Sequence, residues 1–381
     1  MKNTFGTNIS LTIFGESHGA GIGAVLDGIA AGVPLDLEAL DLAMEKRRAR
    51  GDGLSTGRME PDRVKFLSGV VEGRTTGTPI AILIENTNTR SGDYKKTQDL
   101  LRPGHADYTA WAKYEGWQDA RGGGHFSGRI TAAAVAAGEI CRQILEGMGI
   151  TLSSHIARVA GLEDAPLSGE ESLLKSQLEA LNRGSGFALV DPDRAPDMME
   201  AIREESRQGD SVGGILETAA VGLPAGVGEP FFDSLESVLA HLAFSIPAVK
   251  GIEFGAGFAL ADMTGSQAND PFAWAEDRLV TTTNHNGGVN GGIANGMPLV
   301  FRTVVKPTPS IYKPQQTVDY PHHTAATLQI QGRHDPCILA RAAVVQTAMT
   351  AFGLLDMITA RYGTLCHTHG LPGRETPWNT D

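Results

Sequence analysis

The sequence predicts an α+β fold made of two similar halves, and three observations carry that expectation. Strand-like runs come in pairs around turns instead of alternating singly with helices. A weak internal repeat runs through the chain: IGAVLDGIAAGVP (22–34) resembles VGGILETAAVGLP (212–224), each leading into a helix, and GTPIAILIENTNTR (77–90) echoes GMPLVFRTVVKPTP (296–309). Each half also ends in an Ala/Val-rich helix. The halves span roughly 8–150 and 211–355, with 151–210 as an insertion bearing two helices, all within one domain over 1–365. From Cys366 the apolar period stops, so 366–381 reads as a mobile tail.

Taken in order, strands are expected over 10–14 and 23–26, then a helix over 37–48 that Asp36 caps. Its last turn, Lys46-Arg47-Arg48, complements the helix dipole. Strands over 64–71 and 80–84 follow, and a helix over 131–148 closes at Gly149. Helices over 168–181 and 196–207 fill the insertion. The second half reads as a strand over 214–221, a helix over 234–244, strands over 252–259 and 299–305, and a helix over 336–355. For that last helix, Asp335 reads as the N-cap and Pro336 as the first helical residue.

Composition narrows the functional classes. The chain has 381 residues, 41% hydrophobic and 20% charged, enough for a large core. Its net charge of -12 argues against a nucleic-acid or anionic-membrane partner, which dense Lys and Arg would serve, so a basic cluster here is local and suits a small anion. The three cysteines, Cys141, Cys337 and Cys366, form no CxxC pair, which disfavours a disulfide framework and a thiolate zinc site and fits a reducing compartment. The first residues have no apolar stretch and no run of about 18 apolar residues occurs, so the expected location is cytoplasmic.

Three histidine segments, GESHG (15–19), RPGHAD (102–107) and GRHDPC (332–337), each adjoin Gly or Pro, which aims polar groups through a stiff turn. They predict one assembled polar site. GESHG also fits a nucleophile elbow with Ser17 as a hydrolase nucleophile, but that turn joins a strand to a helix, whereas here a Gly-rich turn enters another strand. The Gly-rich loop GDGLSTGR (51–58), with Arg50 before it and Arg58 at its end, can close over an anion. RPGHAD sets Arg102, His105 and Asp107 on one turn. RGGGHFSGRIT (121–131) offers glycines before a helix that starts near Ser127, an anion cradle, while the plain reading of Ser127 is an N-cap. Arg129 opposes the dipole of that helix, which assigns it to a ligand. KPTPSI (306–311) puts a lysine and two hydroxyls at a strand end, or simply terminates the strand. His367 and His369 meet no firm metal template, and no metal is expected. This inventory suits a polyanionic small molecule and proton transfer at a leaving group, and the residues alone go no further.

GESHG, RPGHAD, GGG-x-x-S-x-R-x-T, SIPAVKG (245–251), KPTPS and GRHDPC stand in the order found in chorismate synthases, and this resemblance covers nearly the whole chain. It implies a β-α-β sandwich fold and the last common step of the shikimate pathway. That step is anti 1,4-elimination of phosphate from 5-enolpyruvylshikimate 3-phosphate, giving chorismate for aromatic amino acid biosynthesis. It also implies reduced FMN recovered without net redox change, NADPH as a candidate reductant and a homotetramer. No reductase domain is recognisable, so a separate system is expected to reduce the flavin. By the resemblance His18 is the proton donor beside the flavin, His105 serves the departing phosphate, Asp335 helps remove the ring proton, and Ser17 and Ser127 orient groups. Arg47, Arg58, Arg102, Arg129 and Arg333 hold the substrate's anionic groups. His125, Phe126, Ser127, Pro247, Ala248, Gly291, Lys306, Pro307, Thr308, Pro309, Ser310 and Arg333 match flavin-contacting positions, and Arg47 and Gly53 match NADP-contacting ones. The chain departs from the pattern at His125, Phe126 and Pro247, which stand for Arg, Ser and Asn, and at Gly53, where an arginine is usual. Phe126 has two readings, stacking on the flavin ring or filling a core gap. An FMN-binding paralogue without lyase activity is the alternative function.

Overall fold

Two antiparallel five-stranded sheets enclose a layer of helices in the computed structural model, which describes residues 2–49, 54–55, 60–87, 99–184, 186–330 and 335–372. The first sheet holds β1 (Thr4–Phe5), β2 (Ser10–Gly15), β3 (Gly21–Asp27), β4 (Lys65–Ser68) and β5 (Ile80–Glu85), in the order β1-β2-β3-β5-β4. The second holds β6 (Thr151–Val159), β7 (Leu162–Glu163), β8 (Gly214–Val221), β9 (Val249–Phe254) and β10 (Leu299–Val305), in the order β7-β6-β8-β10-β9. The main helices are α1 (Leu37–Arg47), α2 (Asp107–Tyr114), α3 (Thr131–Gly147), α4 (Glu171–Arg183), α5 (Ala195–Arg207), α6 (Leu235–Ser245), α7 (Leu339–Tyr362) and the short α8 (Cys366–His369).

Aligned on their middle strands, the sheets correspond: β3 with β8, β5 with β10, β4 with β9. Likewise α1 follows β3 as α6 follows β8, and α3 and α7 close the halves. The paired segments 22–34 and 212–224 thus supply the central strand of each sheet, and 77–90 and 296–309 the strand beside it. Helix α3 packs on β3 and β5, α7 packs on β6 and β8, and the two helices pack on each other. Both are therefore buried along most of their length, and α7 is apolar over most of its circumference, while α3 keeps one polar edge at Glu139, Arg142 and Glu146, where Arg142 pairs with both carboxylates. Helix α7 is long and apolar enough to cross a membrane by length and composition, but here it is a core helix, nearly all buried in the protein. Their backbones meet at Gly138, where a Cβ would lie 2.4 Å from the Ala348 carbonyl oxygen.

Several expectations need correction. Residues 151–159 form β6, hydrogen-bonded to β8 from Thr151 opposite Val221 onward, so the insertion begins after a sheet strand. Helix α4 starts at Glu171 with Glu170 as cap, not at 168. The strand expected over 64–71 breaks between Ser68 and Val70, and that over 252–259 runs instead from Val249 to Phe254, followed by a 3-10 turn over Gly257–Asp262. Helix α7 starts at Leu339, so Asp335 is no N-cap; its Oδ2 accepts from Arg341 Nη2 at 2.6 Å. The tail does not begin at Cys366, because α8 buries Cys366 and His367 and Leu371 is buried beyond it.

His367 is fully buried. Its Nδ1 accepts from Ala30 N–H at 3.2 Å, so Nε2–H donates to Thr359 Oγ1 at 2.8 Å. Burial pushes the imidazole down from 6.5 to about 4. The unfolded chain therefore takes up this proton first, and stability present above about pH 6.5 is lost as pH falls toward 4, by up to about 3 kcal/mol. Denaturant midpoints across pH 7 to 4 are expected to fall more steeply for the wild type than for His367→Gln; parallel curves would count against this account.

Candidate active site

A cavity of about 1070 Å³ opens where the β2–β3 turn, the end of α1, the segment before α3, the α6–β9 connection, the loop after β10 and the start of α7 converge. The N-terminal strand forms part of its wall, anchored because Asp356 on α7 accepts from the backbone N–H groups of Thr7, Asn8 and Ile9 at 2.7 to 3.0 Å.

The glycine run at 122–124 explains how two histidine segments meet. Gly122 has φ +60, and a Cβ there would fall 2.1 Å from His18 Cε1 and 3.1 Å from Ser17 Oγ. A side chain at this position is excluded by the His18 ring, while on the next residue a Cβ would stand 3.4 Å from His105 Cε1. The Ser17 N–H donates to Gly124 O at 3.1 Å, and His125 Nδ1–H donates to Gly15 O at 2.8 Å, locking the turn to the run. Ser17 sits in a strand-to-strand turn, so the hydrolase elbow is absent here.

His105 Nδ1 lies 2.8 Å from Asp107 Oδ1, and Arg102 forks onto the same carboxylate through Nε at 2.8 Å and Nη2 at 2.6 Å. Burial acts against ionisation of Asp107, but hydrogen bonds from Arg102 and His105 hold its carboxyl well below the usual carboxylate range. An ionised Asp107 fixes the proton on Nδ1 and leaves Nε2 for chemistry. The turn is braced by Lys306, whose Nζ donates to Gly104 O at 2.6 Å.

Deeper in the cavity, Asp62, 1% exposed, joins two buried arginines. Arg47 Nη1 reaches Asp62 Oδ2 at 3.2 Å, and Arg129 Nη1 pairs with Asp62 Oδ1. Arg47 also donates from Nη2 to Gly128 O at 2.6 Å, and Arg129 from Nε to Asn86 Oδ1 at 3.0 Å. The Asn86 amide in turn donates to Glu16 O and Gly19 O, tying the arginine to the His18 turn. Burial and the nearby Arg341 and Arg129 guanidiniums push Arg47 down to about 9, with Asp62 acting the other way. Positive charge is concentrated here in a poorly solvated place, which favours an anionic ligand.

The cavity wall thus includes Ser17, His18, Arg47, Arg102 and His105, then His125, Phe126, Ser127 and Arg129. Pro247, Ala248, Lys306, Thr308, Pro309, Ser310 and Asp335 complete it among the expected residues. Gly291 is not in this wall; it sits at the tip of the hairpin joining Val289–Asn290 to Ile293–Ala294. Pro307 points away, toward Gly213. Gly53, Arg58 and Arg333, with Arg50 and His334, lie outside the described residues. Ser127 caps a 3-10 turn by accepting from Arg129 N–H at 3.3 Å, and α3 begins only at Thr131, so that N–H is not open to an anion. Phe126 is 39% exposed with its ring 6.2 Å from that of Tyr114, which rules out the core-gap reading.

Sequence reasoning missed Asp62, Asn86 and Arg341. Asp62 and Asn86 occur in stretches with no motif of their own, and Arg341 looks like an ordinary helix residue.

The model of the chorismate synthase family matches residues 9–359. The chain belongs to the chorismate synthase family. It is 46% identical over 356 residues to the chorismate synthase of Pyrococcus abyssi, covering 93% of this chain and 97% of that one. With the chorismate synthase of Chitinophaga pinensis it shares 47% identity over 356 residues, covering 93% and 96%. A crystal structure of chorismate synthase, 28% identical, superposes with a TM-score of 0.74 over 94% of each chain, so the β-α-β sandwich described above is the fold of the family.

Proposed function

We propose that the chain catalyses anti 1,4-elimination of phosphate from 5-enolpyruvylshikimate 3-phosphate, forming chorismate and inorganic phosphate. The observation that carries the reading is the joining of the buried Arg47–Asp62–Arg129 cluster to a His105–Asp107 pair in one cavity. Charge-assisted hydrogen bonds from the guanidiniums orient the substrate's phosphate and carboxylates. His105, protonated at Nε2 and steadied by Asp107, gives its proton to the departing phosphate oxygen. Asp335, held by Arg341, stands in the wall to accept the ring proton, and Ser17 orients groups by hydrogen bonds. His18 is assigned to hold a proton against the cofactor.

Residues on one wall fit FMN. Thr308 Oγ1 is buried with no partner among the described residues, Ser310 is buried, and Lys306 supplies positive charge, a donor set suited to a phosphate. Pro247, Ala248 and Phe126 offer apolar surface for a planar ring. Reduced FMN, when bound, lends electron density to the elimination and is recovered unchanged. The flavin is proposed to be reduced by a separate system, for which NADPH is the candidate reductant. Exposed Phe231, Phe232, Phe258 and Trp274 support burial in a homotetramer, and three free buried cysteines agree with a reducing, cytoplasmic setting.

Anaerobic incubation with chemically reduced FMN and substrate is expected to release chorismate and phosphate in equal amounts. FMN binding without phosphate release would leave a flavin-binding paralogue and sink the lyase reading.

A further inference from the structure

Asp62 is a carboxylate buried between two arginines in the wall of the proposed anion-binding cavity, an arrangement that lowers the affinity of those arginines for any negative ligand. Its place is nonetheless highly determined. It is 1% exposed, its two oxygens are divided between Arg47 and Arg129, and those arginines come from the end of α1 and from the turn before α3. Each arginine has a second fixed partner, Gly128 O at 2.6 Å for Arg47 and Asn86 Oδ1 at 3.0 Å for Arg129. The carboxylate is therefore the shared point that sets the spacing and plane of both forks.

We infer that Asp62 is a positioning and specificity residue: it fixes Arg47 and Arg129 for a ligand with several anionic groups and keeps a lone phosphate from binding tightly. The inference rests on the proposed elimination, which releases inorganic phosphate beside these arginines. A pair of buried guanidiniums without a counter-charge holds a single phosphate strongly, and product would then occupy the site. With Asp62 present, part of that charge is already met. A substrate with phosphate and two carboxylates still gains from both forks at once, so the carboxylate discriminates by the number of anionic groups.

The test compares wild type, Asp62→Asn and Asp62→Glu, each with reduced FMN under anaerobic conditions, measuring kcat, KM and inhibition by added inorganic phosphate. Asp62→Asn is expected to lower kcat on the order of tenfold or more while phosphate inhibits at concentrations lower by on the order of tenfold, the effect of one removed charge at close range. A structural defect alone has no reason to tighten phosphate binding. Asp62→Glu keeps the charge and shifts its place, so wild-type phosphate inhibition with reduced kcat is expected, and it separates charge from geometry even where Asp62→Asn does not fold. Unchanged phosphate inhibition in a folded Asp62→Asn, or unchanged kcat in Asp62→Glu, overturns the inference. A wild type that forms no chorismate overturns the elimination reading instead.

Discussion

Replacing His105 by alanine is expected to lower kcat by about 100-fold or more, the scale of a lost general acid, with a much smaller change in KM. The reason lies in the surroundings of the ring. Asp107 is kept ionised by the Arg102 fork, and its Oδ1 at 2.8 Å takes the Nδ1 proton, so the imidazole is held in one tautomer with Nε2 available. A proton carried on Nε2 is the one positioned to pass to a leaving phosphate. In the proposed reading, binding of the substrate rests chiefly on Arg47 and Arg129, which come from other elements and which the substitution leaves in place. Rapid-quench measurement of phosphate release in a single anaerobic turnover isolates the chemical step. Release at a near-normal rate would remove His105 from the role of acid, and Asp107→Asn, which loses the orienting charge but leaves the ring, is expected to fall between wild type and His105→Ala.

The architecture was legible wherever one local signal decided an element. Asp36 caps α1 by accepting from the N–H groups of Glu38 and Ala39, and Ser234 caps α6 in the same way through Ser237 N–H. The repeat between 22–34 and 212–224 was readable because a central strand followed by a helix needs the same run of apolar residues and the same terminating turn in both halves. Strand β6 was not, since it is buried on both faces and shows no alternation: Thr151 to Ile156 are all buried. Asp335-Pro336 has the local chemistry of a helix start, yet Arg341 draws the carboxylate away and α7 begins three residues later, a tertiary contact overriding a local preference. For the site, residues in turns with Gly or Pro were recognisable because their chemistry is concentrated in a few adjacent positions. Asp62 and Asn86 act only through partners brought from distant segments, at Arg47 and Arg129, and no local pattern marks such residues.

Arg129→Ala should produce the largest loss of substrate affinity among the described arginines, about 10- to 100-fold, the worth of charge-assisted hydrogen bonds at about 1.5–3 kcal/mol. The guanidinium is 6% exposed and held on three sides, by Asp62, by Asn86 Oδ1 at 3.0 Å and by Glu85 O at 3.4 Å. A group so fixed loses little freedom when a ligand arrives, so more of its interaction appears as affinity. The same burial gives the substitution a second consequence. Without Arg129, the inaccessible Asp62 carboxylate keeps only Arg47 of its two cationic partners among the described residues, and Asn86 Oδ1 loses its Arg129 donor, so stability is expected to fall by about 3 kcal/mol. Arg129→Lys separates the two effects. It restores a charge near Asp62 and with it part of the stability, but a point charge does not reproduce a planar fork, so affinity should remain low. Titration calorimetry of the flavin-loaded enzyme reads the affinity and denaturant unfolding reads the stability. Wild-type affinity in a folded Arg129→Ala variant would mean that this arginine serves the fold alone, and the substrate's anionic groups would then have to be assigned to other cations of the cavity.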